Sequence, residues 1–149
     1  MDLHHYRFRS RWPLDAPAET VHAVLARAEE YPRWWPQVRE VERTDAHSGR
    51  ARFRSLLPYD LVVTVRQVRD DPAAGVLRIA LGGDLEGWVH WTVTARGVGA
   101  DALFEQEVIV RSPLLRRFAV PGRPLFRANH RLMMRGGLRG LRARLAEGV

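Results

Sequence analysis

Cysteine is absent from the 149 residues. That excludes disulfides, thiolate metal sites and a cysteine nucleophile, and it accords with a reducing cytosol, so a cytoplasmic location is expected. Lysine is absent too: all 24 basic residues are arginine. Isoleucine occurs only at Ile79 and Ile109, while Ala, Arg, Gly and Leu abound. No apolar run approaches the roughly 20 residues of a membrane span. Met1 to Leu14 is polar and arginine-studded, without the apolar stretch of a signal peptide. No HExxH or other close ligand spacing is present, and Gly82-Gly83 opens a strand and not a helix, so no phosphate loop is formed. Neither metal nor cofactor is expected. The net charge of +7 and pI of 11.2 point on their face to an anionic partner. Arginine without lysine is also the mark of a GC-rich coding sequence, which is a cause unrelated to any partner.

What is present is a regular alternation. From His5 to Leu14, Tyr6, Phe8, Ser10, Trp12 and Leu14 share one face and Arg7, Arg9 and Arg11 the other, the pattern of a half-buried strand. Asp15-Ala16-Pro17 opens a helix, with Pro17 in its first turn, and Val21, Val24, Leu25 and Ala28 recur at helical spacing. Pro32 ends that pattern, leaving Tyr31 to Pro36 as an aromatic-rich turn or single helical turn. Strands are predicted over Val38–Thr44, Ala51–Leu57, Tyr59–Arg69, Val76–Leu81, Leu85–Arg96 and Ala102–Arg111. Short turns rich in Gly, Pro and Asp join them into an antiparallel meander. A proline-free helix is predicted over Leu125–Glu147, with a bend at Gly136-Gly137. No linker, repeat or low-complexity segment divides the chain, so residues 1–149 read as one domain.

Five segments carry a resemblance. They are Ala16-Pro17-Ala18-Glu19-Thr20-Val21; Tyr31-Pro32 with Trp34-Trp35-Pro36; Gly83-Asp84-Leu85-Glu86-Gly87 with Trp91; Asn129-His130; and Met133-Met134 with Gly136-Gly137-Leu138. In their order over essentially the whole chain they resemble the START-like, polyketide cyclase/dehydrase (helix-grip) superfamily. The resemblance implies an α+β helix-grip fold: a curved seven-stranded antiparallel sheet around a long C-terminal helix, with two short helices after the first strand. It also implies a cavity between sheet and helix. Members include lipid carriers, aromatase/cyclases, hormone receptors and ribosome-associated proteins, so the fold alone does not select a function.

The inward strand faces would line that cavity, expected at roughly 300–1,000 Å³, with Phe53, Leu57, Leu61, Val63, Val93, Phe104 and Met133 in the wall. Polar atoms come from Ser55, Tyr59, Trp91, Gln106 and Asn129. No Asp, Glu, Arg or His is placed inward, which suits a binder of a lipid, polyketide or isoprenoid-like molecule better than a general acid–base enzyme. The enzyme implied by the resemblance is a cyclase, aromatase or dehydratase, and its sheet arginine has no counterpart, since Arg52, Arg54, Arg66 and Arg78 alternate outward. Asn129 and Gln106, with Tyr59, are expected to orient a ligand. Trp34 and Trp35 have two readings, a plug on the sheet edge or a lid over the cavity mouth. Arg7, Arg9 and Arg11 are expected to face Glu105 and Glu107 across neighbouring strands. On the last helix Arg127, Arg131, Arg135, Arg139 and Arg142 fall within about 120° of one another. They form either a solvated face or a docking row for an anionic membrane or RNA; DNA is not expected.

Overall fold

The computed structural model of the chain describes residues 4–55, 59–113 and 122–148. In chain order its elements are β1 (His5–Leu14), α1 (Ala18–Ala26), a 3-10 helix (Ala28–Arg33), β2 (Val38–Arg43), β3 (Ser48–Phe53), β4 (Leu61–Asp71), β5 (Val76–Gly83), β6 (Leu85–Arg96), β7 (Gly99–Val110) and α2 (Arg123–Ala146). The seven strands form one antiparallel sheet in the order β1-β7-β6-β5-β4-β3-β2. Every neighbour pair is consecutive in the chain except β1–β7, which joins the two ends of the meander. The fold is α+β, with α2 held on the inner face of the sheet.

Each element follows from its residues, with local corrections. Pro17, at φ −60°, stands just outside α1 as its N-cap and not within the first turn. Pro32 is accommodated inside the 3-10 helix, and the Tyr31 hydroxyl donates to the Leu25 carbonyl, folding this aromatic segment back on α1. β3 starts at Ser48 and ends at Phe53, because Ser48 to Arg50 find partners on β4 and Gly49 and Arg50 on β2 as well. The expected continuation to Leu57 runs into residues 56–58, outside the described residues. β4 begins at Leu61 and runs on through Asp71. There the Asp71 carboxylate accepts the Ala74 N–H at 3.0 Å, and Gly75 takes φ +70°, a left-handed conformation only glycine adopts without strain. α2 begins at Arg123, with Pro124 in its first turn, where a missing N–H costs nothing.

The arginines of β1 behave as expected in placement. Arg7 lies opposite Glu107 and Arg9 opposite Glu105. Arg7 Nε pairs with Glu107 at 2.5 Å, and Arg11 pairs with Asp101 and not with a glutamate. Such exposed pairs are worth well under about 1 kcal/mol each, so they favour register more than stability.

The expected bend at Gly136-Gly137 is absent; α2 runs unbroken from Arg123 to Ala146. These glycines serve close approach instead. A Cβ at Gly137 would stand 2.6 Å from Trp35 Cε2 and 2.7 Å from Trp12 Cη2, and one at Gly140 would overlap the Trp34 carbonyl. The largest apolar cluster gathers here, with Trp12, Trp34, Trp35, Trp91 and Leu141 among its members. Gly137→Ala should therefore destabilise the protein by about 2 kcal/mol despite the better helix propensity of alanine. In a chain of this size that lowers the thermal midpoint by about 4–8 °C. Calorimetry of the variant checks this; an unchanged or higher midpoint would show that the helix is not seated on the indoles.

Candidate functional site

Between the sheet and the N-terminal half of α2 lies a cavity of about 210 Å³, smaller than expected. Its apolar wall comes from alternate residues of the strands: Tyr6 and Phe8 on β1, Phe53 on β3, Leu61 and Val65 on β4, Leu77, Ile79 and Leu81 on β5, Val89 and Trp91 on β6, and Phe104 on β7. Period-two alternation delivers this face directly. Phe126, Asn129, His130, Met133 and Met134 close it from α2. The exposed members of the wall, Glu29, Arg43, Ala46 and His47, all lie at one end, between the 3-10 helix and the β2–β3 turn. There Arg43 pairs with Glu29 at 2.9 Å, so the cavity reaches the surface under a salt bridge.

Seven of the ten ligand-binding candidates read from sequence meet in this wall: Trp35, Phe53, Trp91, Phe104, Gln106, Asn129 and Met133. The other three do not. Trp34 is buried in a separate crevice with Val24, Arg27, Glu30 and Arg144, its ring 5.5 Å from that of Trp35 and nearly parallel to it. Ser55 follows the end of β3, and its hydroxyl makes a long 3.5 Å contact to the Asn129 carbonyl. Tyr59 precedes β4, and more than a third of it is exposed. Two residues expected in the wall, Val63 and Val93, are packed into the core instead, and Leu57 lies outside the described residues.

Both indoles are buried. Trp35 is buried against Trp12, Tyr31 and Trp34, and its Nε1–H donates to the Met133 carbonyl at 2.8 Å. None of Arg52, Arg54, Arg66 and Arg78 is among the lining residues. Arg78 instead stacks outside on Trp88 at 4.5 Å, and Arg52 pairs with Glu40 and Asp60.

The sequence reading missed His130. Its imidazole lies 3.6 Å from the Phe8 ring and parallel to it within 7°, near Phe104, with Nε2 2.9 Å from Gln106 Oε1. The expectation of an interior without titratable groups is therefore corrected. Leu125 and Leu132, apolar residues near the start of α2, are exposed and do not belong to its inward arc. At 100° per residue, Phe126, Met133, Met134 and Leu141 fall on an arc with His130 near its middle, but the residues alone do not tell that arc from one drawn through Leu125 and Leu132.

These are features of a shared architecture. The chain matches the family described as polyketide cyclase / dehydrase and lipid transport over residues 6–146. It belongs to that family. Solved structures agree on the fold. A Thermus thermophilus protein is 17% identical, with 96% of this chain and 99% of that one covered at a TM-score of 0.75. A START superfamily protein from Mycobacterium smegmatis is 17% identical over 98% and 99% of the two chains, at a TM-score of 0.72. The Zhui aromatase/cyclase from Streptomyces sp. R1128 is 16% identical over 91% and 92%, at a TM-score of 0.71. No curated protein matches the chain in sequence.

Burial pushes the His130 imidazole down to about 4, because the charged form would lose its water without gaining a counter-charge. In the unfolded chain a histidine titrates near about 6.5. Between those values the unfolded state binds the extra proton, so stability rises with pH from about 4 to about 6.5 and is lost as the pH falls. Over that window the parent should lose about 3 kcal/mol more than His130→Phe. Denaturant unfolding of both proteins at pH 4.5, 5.5 and 7 checks this; parallel curves would place His130 in water.

Proposed function

We propose that residues 1–149 act as one cytoplasmic unit that binds a hydrophobic or aromatic small molecule in the cavity, as a carrier or sensor. The observation that carries this reading is the cavity itself: apolar strand faces under a helix, with its polar, exposed residues confined to the mouth. Apolar walls with a few oriented polar groups are what ligand sites use. The family's description spans cyclisation, dehydration and lipid transport. Binding is the better supported of these, because general acid–base work needs a group that changes protonation near neutral pH. His130 is held far below that range, and the inner wall brings no arginine or carboxylate among the described residues.

Trp35, Phe53, Trp91, Phe104 and Met133 would supply contact area, and Asn129 polarity. The fluorescent probe N-phenyl-1-naphthylamine should bind the protein at one saturable site. Val89→Phe, which fills the cavity from the sheet side, should weaken that binding about tenfold while leaving the fold intact. Unchanged affinity in a folded Val89→Phe protein would move the site elsewhere.

The outer face of α2 favours a second role for a carrier, contact with an anionic membrane. Arg127, Arg131, Arg135, Arg139 and Arg142 are all exposed, although Arg142 also donates to the Pro13 carbonyl. Leu125 and Leu132, 44% and 39% exposed, border them. Bare leucines beside arginines suit an interfacial helix, whereas RNA would use the arginines alone. Vesicles of phosphatidylglycerol should sediment the protein and those of phosphatidylcholine should not. Arg131→Gln with Arg135→Gln and Arg139→Gln should abolish the difference. Binding to RNA but not to either vesicle would replace the membrane reading.

A further inference from the structure

We infer that the His130–Gln106 pair is a hydroxyl-binding anchor, which selects an apolar cavity ligand carrying a phenol or alcohol. This rests on the reading of the cavity as a ligand site and names the chemistry that site would prefer. Gln106, expected from sequence to touch the ligand itself, becomes a positioning residue: its Oε1 lies 2.9 Å from His130 Nε2. An amide oxygen only accepts, so Nε2 carries the imidazole hydrogen and Nδ1 keeps a bare lone pair. Among the described residues only Nε2 is hydrogen-bonded.

The ring is held in place by its neighbours. Phe8 covers one face at 3.6 Å, and Phe104 approaches at 5.7 Å. Burial keeps the imidazole neutral at physiological pH, so it holds neither a charge for a carboxylate nor a proton to give away on Nδ1. The cation of the wall, Arg43, stands at the mouth and is paired with Glu29. What remains is a neutral acceptor on a ring of the cavity wall, and a ligand that displaces its water has to satisfy it, since an acceptor left unsatisfied is costly. A ligand O–H satisfies it; a ketone or ether has no hydrogen to offer. Parallel aromatic rings beside the anchor favour a flat partner.

Two probes of similar shape separate the possibilities: 2-naphthol, which has the O–H, and 2-methoxynaphthalene, which lacks it. By fluorescence titration at pH 7 the parent should bind 2-naphthol about fivefold more tightly. In His130→Phe, which keeps an aromatic ring beside Phe8, the ratio of the two affinities should fall to about one. Nitrogen-15 spectra of the parent, which need no variant to fold, should show Nδ1 as the unprotonated nitrogen, shifting with 2-naphthol and not with its methyl ether. A hydroxyl preference that survives in His130→Phe, equal binding of both probes by the parent, or a protonated Nδ1 would overturn the anchor and leave the cavity reading standing. Failure of both probes to bind would overturn the two together.

Discussion

The seating of α2 on the tryptophans is the contact on which the rest depends. Trp12 and Trp35 meet the helix at Gly137 with no room for a methyl group, and the Trp35 indole holds the Met133 carbonyl. A side chain at 137 would force the helix off the sheet by the width of that side chain, because packed interiors yield little. The C-terminal half of α2, with Leu141 fully buried, is thus core. Its N-terminal half, with Asn129, His130 and Met133, stands over open volume. A rigid helix fixed at one end can roof a void at the other, and here it does so between two apolar clusters that share Phe8 and Phe53.

That division explains how a chain can keep a cavity and remain stable. Creating a void of this size in a solid core costs several kcal/mol, and the aromatic cluster offsets it from one side. Trp35, Trp12, Trp91 and Phe104 touch in series at centroid distances of 4.9 to 5.5 Å, each burying a large apolar area. The same crowding determines the electrostatics of the site. Apolar walls desolvate His130, Gln106 satisfies one of its nitrogens, and no counter-charge is within reach among the described lining residues of the inner wall. The result is a polar group that stays neutral.

Charge is partitioned by the same geometry. On the sheet, outward arginines meet acids across neighbouring strands, as in Arg7–Glu107, Arg11–Asp101 and Arg52–Glu40. α2 has one acid, Glu147, at its C-cap, and Arg144 pairs with it and with Glu30. The +7 excess is therefore felt most along the outer face of that helix. Like charges four residues apart repel by a few tenths of a kcal/mol, which an anionic surface would relieve.

How much of this was legible in the residues depended on the range of the interaction. Alternation in β1 and β5 to β7 is a property of adjacent residues, so the strands, their inward faces and the hairpin order could be read directly, as could the segments that mark the family. Strand ends could not, since Ser48 to Arg50 join β3 only because β4 lies alongside. Six of the cavity candidates followed from period two or from the helical wheel, and Trp35 from its aromatic turn. Trp34, Ser55 and Tyr59 did not reach the wall, because they sit where regular backbone has ended and no period dictates direction. The sequence alone determined that α2 has an arginine face and an apolar one. Only the tertiary structure decided which residue lies at the centre of the apolar face. That centre is set by Gly137 against the indoles, a contact across 102 and 125 residues of chain from Trp35 and Trp12, and it turns His130 inward.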